Sequence, residues 1–127
     1  ARFGVAVLLD LHSMPPLGPA GTRIVLGDRF GHAAAPRFVD RAERACTEHG
    51  FSVARNTPYA GGHILERHAR PDSGIHAIQL ELDRTVYLDR NLHAPGAGFA
   101  RVVDLVQAIL AALADEALST PLAAAAE

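Results

Sequence analysis

Close to its first residue the chain contains a short, unbroken run of apolar side chains. Residues 3–9 read Phe-Gly-Val-Ala-Val-Leu-Leu. Apolar residues in succession, rather than in alternation with polar ones, are typical of a strand that is buried on both faces. The run therefore predicts a strand at the centre of a covered sheet.

Three further strand signals alternate with helical patterns along the chain. The strands are predicted at residues 23–27, 51–55 and 76–82, and the helices at 36–49 and 97–117. Strands that alternate with helices indicate a layered α/β domain, in which helices flank a mostly parallel or mixed central sheet.

The length and composition fit one domain. The chain has 127 residues, 49% of them hydrophobic, which is enough to bury one core. We expect a single domain over residues 1–117 and a flexible tail over residues 118–127. A central strand with no element before it is unusual. We therefore also expect this chain to be the C-terminal part of a longer fold, and the domain to be incomplete.

The overall charge and the single cysteine narrow the function classes. The net charge of −2 provides no excess of positive charge for binding nucleic acid. Neither a membrane-length apolar run nor a secretory leader is visible, so we expect no membrane partner and a cytoplasmic location. Cys46 alone excludes an internal disulfide and a thiolate-rich zinc cluster, and the helical pattern around it predicts a buried or half-buried thiol.

All twelve basic residues are arginine. In a chain so rich in alanine this is typical of coding bias. The alternative is that some arginines hold carboxylates through forked pairs of hydrogen bonds, which lysine forms poorly.

Each of the first three predicted strands is followed by a loop that combines glycine with polar side chains. These loops cover residues 14–21, 27–31 and 56–62. Each could be ordinary turn chemistry, but ligands collect beyond the carboxyl ends of strands in open α/β sheets. Three such loops on the same edge of the sheet predict a binding site there.

His12 follows the first predicted strand and is a candidate metal ligand. Neutral imidazole binds zinc well, and a nearby carboxylate such as Asp10 can orient the ring. A histidine at a strand end can equally be a structural residue, and its position alone does not decide between the two.

Glu81 lies in a segment with strand-like alternation. One face carries Gln79, Glu81 and Asp83, and the other carries Ile78, Leu80 and Leu82. On an edge strand the polar face would simply be hydrated. On a central strand a carboxylate is costly unless it is paired or takes part in chemistry.

Four segments carry a resemblance to a known family. They are D-L-H-S-M-P at 10–15, I-V-L-G-D-R-F-G at 24–31, N-T-P-Y-A-G-G at 56–62 and G-I-H-A-I-Q-L-E-L-D-R-T-V-Y-L-D at 74–89. In order and spacing they resemble the N-formylglutamate amidohydrolase (N-formylglutamate deformylase) family. The resemblance implies a fold similar to zinc carboxypeptidases and aspartoacylases, of the phosphorylase/hydrolase-like type. It also implies hydrolysis of the formyl amide of an N-formyl amino acid, as in histidine degradation.

The resemblance also implies roles for individual residues. His12 would be a zinc ligand, and Glu81 the general base that activates the attacking water. Asp10 and Ser13 would support His12. The residues expected to recognise the substrate carboxylates or shape the pocket wall are Arg29, Asn56, Tyr59, Gly61, Gly62 and Arg84.

The chain departs from the family pattern in its metal ligands. The first two ligands, a histidine and a carboxylate, come from a segment upstream of the D-L-H strand, which these residues do not contain. Zinc is therefore expected with two ligands from elsewhere. His63 and Glu66 have a spacing that could place both on one helical face, but their position corresponds to a pocket loop, and we expect them to be solvated.

The remaining histidines are expected to have no catalytic role. His76 points away from the face of Glu81 if the alternation is strict, which predicts a packing or hydrogen-bonding histidine. The histidines expected on surface loops are His32, His68 and His93.

The leading hypothesis is thus the C-terminal part of a zinc-dependent amidohydrolase with a small N-acyl amino acid substrate. The alternatives are a degenerate carboxylate-binding module without catalytic metal, and a structural fragment of a larger subunit. Apolar surface left by a missing half would favour self-association, so a homodimer is expected as a possible assembly.

Overall fold

The computed structural model describes residues 3–119. Its strands are β1 (Ala6–Met14), β2 (Ile24–Gly27), β3 (Val53–Arg55) and β4 (Ile75–Asp83). Its helices are α1 (Pro36–Glu48), α2 (His63–His68) and α3 (Phe99–Ser119), with short 3-10 helices at Pro71–Ser73 and Arg84–Val86. The α/β class and the helix at 36–49 are confirmed.

The four strands form one mixed sheet in the order β1-β4-β2-β3. β1 and β4 are parallel, β2 and β3 are parallel, and β2 runs antiparallel to β4. The prediction that the first strand is central is wrong for the described part of the chain, because β1 lies at the edge. Leu8 and Leu11 are 39% and 53% exposed there. An apolar run shows that a strand is hydrophobic, not which strands pair with it.

β1 is longer than predicted and begins later. It ends at Met14 rather than at residue 9, so Asp10 and His12 lie within the strand and not beyond its end. The polar residues at alternate positions do not end the strand, because Leu9 and Leu11 continue its other face.

The prediction that three loops share one edge of the sheet is also wrong. Residues 15–23 join β1 to β2, and this link is too short for the crossover that parallel strands require. β2 therefore returns in the opposite direction. The loops after β2 and β3 lie together at one edge, and the loop after β1 lies at the other.

Helices α1 and α3 cover one face of the sheet. The core there combines alternate residues of β2 and β4 with the apolar sides of both helices. Its fully buried members include Ile24, Leu26, Phe38, Val39, Ile78, Leu80, Leu105 and Ile109. Arg41 of α1 joins the helices through Asp115 and Glu116 of α3, at 2.8 and 3.2 Å. Residues 118 and 119 extend α3, and the rest of the predicted tail lies outside the described residues.

The opposite face is covered only in part. Leu65 of α2 packs with Ala33, Ala69 and Ala77 at one end of the sheet. On that side His12 of β1 is half-exposed, whereas Gln79, Glu81 and Asp83 of β4 are buried.

Two predictions about single residues are confirmed. The Nδ1 atom of His76 accepts a hydrogen bond from the backbone N–H of Ala35 at 3.0 Å, and its ring lies 4.4 Å from that of Phe38. Cys46 is buried in α1, and burial, with a contribution from Glu43, raises the pKa of its thiol to about 12. Among residues 3–119 no helix has the length and apolar character needed to cross a membrane.

Candidate active site

Three polar side chains meet on the partly covered face of the two parallel strands. Asp10 and His12 project from β1, and Glu81, directly opposite His12, projects from β4. The Nε2 atom of His12 lies 2.9 Å from the Oδ2 atom of Asp10, and its Nδ1 atom lies 3.9 Å from the Oε1 atom of Glu81. The structure thus brings together the predicted ligand, its predicted support and the predicted base.

Glu81 is buried on a central strand, with only 6% of the residue exposed. This burial is the largest influence on its carboxyl, and it raises the pKa above the ordinary value. Electrostatic interaction with His12 and Arg84 acts in the opposite direction, whereas Asp10 adds to the rise. The Oε1 atom accepts a hydrogen bond from Gln79 at 2.9 Å. A carboxylate whose pKa is shifted towards neutrality is suited to exchange protons with a substrate.

The donor set fits part of a zinc site. Asp10 occupies Nε2 of His12 and leaves Nδ1 turned towards Glu81, as expected when a carboxylate orients a ligating imidazole. The Oε2 atom of Glu81 is buried without a hydrogen-bond partner among the described residues, so this polar site has unused acceptor capacity. Within residues 3–119 no group of three or more His, Cys, Asp or Glu side chains is arranged to hold a metal ion. His63 and Glu66 are exposed on α2.

A buried ion pair stabilises the turn that follows β4. Asp83 accepts a hydrogen bond from Arg23 at 2.7 Å, and accepts two from Thr85, from its backbone N–H at 2.8 Å and its hydroxyl at 2.7 Å. Burial by itself would raise the pKa of Asp83, but these bonds outweigh it and lower the pKa. The next residue, Arg84, donates from Nε to the hydroxyl of Ser13 at 3.2 Å.

Ser13 was expected to support His12. Because it neighbours His12 in a strand, its side chain projects to the opposite face. The structure therefore pairs Ser13 with Arg84 and not with His12.

The loops after β2 and β3 are joined through Asn56. Its Oδ1 atom accepts from the backbone N–H groups of Asp28 and Phe30, at 2.9 and 3.3 Å, and its Nδ2 donates to Oδ1 of Asp28 at 2.9 Å. The side chain predicted to bind substrate thus holds these loops together. Arg29, Phe30 and Asn56 all have positive φ, between 52° and 64°, which is unusual for residues other than glycine.

Glycines allow these loops to approach the sheet. A Cβ atom on Gly27 would lie 2.6 Å from the carbonyl carbon of Ala60, and one on Gly61 would lie 2.4 Å from Leu65. Gly62 precedes α2 and has open space at its Cα, and Tyr59 is half-buried. Arg29 is held in the same unit, since its backbone N–H donates to the carbonyl of Ala60 at 2.8 Å.

The two groups of predicted residues flank Glu81 along the direction of β4. Gly27, which precedes Arg29, pairs with Gln79 on one side of Glu81. Arg84 follows β4 on the other side. Arg29 therefore follows β2 beyond its pairing with Gln79, and Arg84 follows β4 beyond Glu81, so the two arginines lie in segments on opposite sides of Glu81 along β4.

Sequence reasoning missed the ion pair of Asp83 with Arg23. The alternation in β4 placed Asp83 on the polar face, and a carboxylate buried in a sheet needs a partner. That requirement was the available signal, but the partner lies 60 residues away in the chain and could not be named from local pattern.

Comparison with known proteins identifies relatives of the chain. The model of the N-formylglutamate amidohydrolase family matches residues 1–88. An N-formylglutamate deformylase of Pseudomonas aeruginosa is 32% identical over 125 residues, which cover 94% of this chain and 46% of that protein. The crystal structure of N-formylglutamate amidohydrolase from Ralstonia eutropha JMP134 superposes with a TM-score of 0.77 at 32% identity, covering 92% of this chain and 44% of the other.

A more distant structure shares the fold. A bacteriophage poly-gamma-glutamate hydrolase aligns with a TM-score of 0.55 at 14% identity, covering 87% of this chain and 53% of the other. The chain spans about half the length of the relatives that it matches. From the extent of the family match and the identity to its members, the chain belongs to the N-formylglutamate amidohydrolase family.

Proposed function

We propose that the protein hydrolyses the formyl amide of an N-formyl amino acid, with N-formylglutamate as the first substrate to test. In this proposal the chain contributes one imidazole ligand, His12, to a zinc site, and the general base, Glu81. The observation that carries the proposal is the alignment of Asp10, His12 and Glu81 on neighbouring strands, with the base buried and the imidazole half-exposed.

Each residue of the site has its own role in the proposed reaction. Zinc, held through His12 and ligands from outside the described residues, supplies Lewis-acid chemistry when bound. Glu81 takes one proton from the attacking water and passes it to the amine nitrogen as the C–N bond breaks. The second water proton passes from the new carboxyl group to the released amine, so the products are formate and the amino acid in its ammonium form. Asp10 keeps the ring of His12 in one orientation.

In this proposal, substrate recognition is assigned to Arg29 in the loop after β2 and to Arg84 in the turn after β4. N-formylglutamate has two carboxylates, and guanidinium groups bind carboxylates through paired, charge-assisted hydrogen bonds. Arg84 interacts electrostatically with Glu81 and donates a hydrogen bond to Ser13, which supports its assignment as a carboxylate-binding residue. Arg29 lies in the loop unit that Asn56 holds together.

Formate release from N-formyl-L-glutamate in the presence of zinc tests the proposal. Glu81→Gln keeps the shape of the side chain but cannot accept a proton, and it is expected to lower kcat about 10²- to 10⁴-fold. His32→Ala, which removes an exposed histidine, is the matched control and should retain the wild-type rate. Full activity in Glu81→Gln would contradict the proposal.

Two further measurements separate the alternatives. Zinc content by mass spectrometry should fall in His12→Ala and remain in Glu81→Gln. Calorimetry with N-formylglutamate and with glutamate then distinguishes the remaining outcomes. Binding without turnover would indicate a carboxylate-binding module, and an absence of binding would indicate a structural fragment.

A further inference from the structure

The two oxygens of the Glu81 carboxylate lie in different surroundings. Oε1 accepts a hydrogen bond from Nε2 of Gln79 at 2.9 Å and faces Nδ1 of His12 at 3.9 Å. Oε2 is buried and has no hydrogen-bond partner among residues 3–119. A buried acceptor without a partner is uncommon in folded proteins, and functional sites are one of the places where it occurs.

Gln79 is placed to create this asymmetry. It precedes Glu81 by two residues in β4, so both side chains project from the same face. Only 6% of Gln79 is exposed, which shields its hydrogen bond from competition by water. Its partner in β2 is Gly27, which has no side chain to compete for the same space.

We propose that Gln79 is a positioning residue that, through its hydrogen bond to Oε1, fixes the carboxylate of Glu81 in the orientation that faces Nδ1 of His12. This inference rests on the proposed function and deepens it. An ionised carboxylate can only accept hydrogen bonds, so the amide NH2 group is the end of Gln79 that must face it. The bond restricts the side-chain torsions of Glu81, and a fixed base keeps its carboxylate turned towards Nδ1 of His12, the side from which the proposed reaction takes its water. The same carboxylate without this donor samples several orientations, and few of them are productive.

Gln79→Met tests the inference, because methionine has nearly the same length and volume but donates no hydrogen bond. We expect kcat to fall about 10- to 100-fold while KM changes less than about twofold, since Gln79 acts on the base and not on substrate binding. Gln79→Leu is a second variant without a donor, for use if the first fails to fold, and urea unfolding checks both. Asn91→Leu is the matched control. It also removes a side-chain amide, at an exposed position outside the proposed site, and should retain the wild-type kcat.

A double-mutant cycle with Glu81→Gln separates positioning from a general structural effect. If Gln79 acts through the carboxylate, Gln79→Met should cause no further loss of kcat in the Glu81→Gln background. An equal loss in both backgrounds, or a wild-type kcat in folded Gln79→Met, would overturn the inference and leave the proposed hydrolysis intact. A wild-type protein that releases no formate with zinc present would overturn both.

Discussion

Gly27 is the point at which the loop after β3 rests on the sheet, and replacing it by alanine tests this packing directly. The added Cβ atom would lie 2.6 Å from the carbonyl carbon of Ala60, 2.7 Å from its oxygen and 2.9 Å from the backbone nitrogen of Gly61. All three atoms belong to the backbone, so no side-chain rotation can relieve the contact. Either the loop over residues 57–62 or strand β2 must move.

The expected cost follows from two opposing effects. Overpacking of this kind destabilises a folded protein by about 1–3 kcal/mol, and a contact with backbone belongs at the upper end of that range. Replacing glycine by alanine also restricts the unfolded chain, which returns about 0.4–1 kcal/mol. We therefore expect Gly27→Ala to lower the free energy of unfolding by about 2 kcal/mol. With an m-value of about 1.5 kcal/mol/M, the urea midpoint would fall by about 1.3 M.

Gly62→Ala provides the matched control for Gly27→Ala. A Cβ at Gly62 would meet nothing within 4 Å, and the backbone there has a negative φ of −110°. Its urea midpoint should stay within about 0.3 M of the wild type, which corresponds to the usual range of surface substitutions. Equal midpoints for the two variants would show that the loop does not rest on β2, and would remove the physical argument for the placement of Arg29.

Three further predictions concern single side chains. Asn56→Asp should destabilise the protein by about 1–3 kcal/mol in urea at pH 7, because it replaces the donor facing Asp28 with a second carboxylate; wild-type stability would contradict this. Burial, together with Arg37, lowers the pKa of His76. Neutral His76 therefore contributes fully to stability above the unfolded pKa of about 6.5, and this contribution is lost as the pH falls below that value, because the unfolded chain takes up a proton first. Urea titrations from pH 7.5 to 5 should show a fall in the free energy of unfolding that is smaller in His76→Gln than in the wild type. Cys46 should react with Ellman's reagent at pH 8 only after the protein unfolds. A pKa of about 12 leaves roughly 10⁻⁴ of the thiol ionised at that pH. Rapid labelling of the folded protein would refute the burial of Cys46.

The hydrophobic pattern of the sequence predicts those features of the fold that depend on a single helix or strand. The alternation in 76–82 correctly placed Gln79, Glu81 and Asp83 on one face, because side-chain direction in a strand is set by the backbone alone. The same reasoning placed His76 on the other face, where it is found. The helix at 36–49 was found for the same reason, since its apolar stripe needs only one surface to pack against.

The pairing of strands that lie far apart in the chain cannot be predicted from the pattern within each strand. The edge position of β1 depends on β4, which follows it by some 60 residues and inserts between β1 and β2. The reversal at β2 follows from the short link over residues 15–23, which is a property of two strands and their connection and not of either strand alone. The positive φ values of Arg29 and Phe30 had no local signal, since neither residue type favours that conformation.

The position of β1 at the sheet edge explains why the two sides of the candidate site differ so strongly in exposure. Glu81 stands between two strands, and this burial is what raises its pKa towards a useful range. His12 stands opposite it on the outer strand, where 45% of its side chain remains exposed. In the proposed function a base gains from burial, whereas an imidazole that would share a metal with ligands from outside the described residues has to remain reachable from that side. Asp10 resolves the conflict, because it holds the exposed ring in one orientation that the sheet alone would not impose.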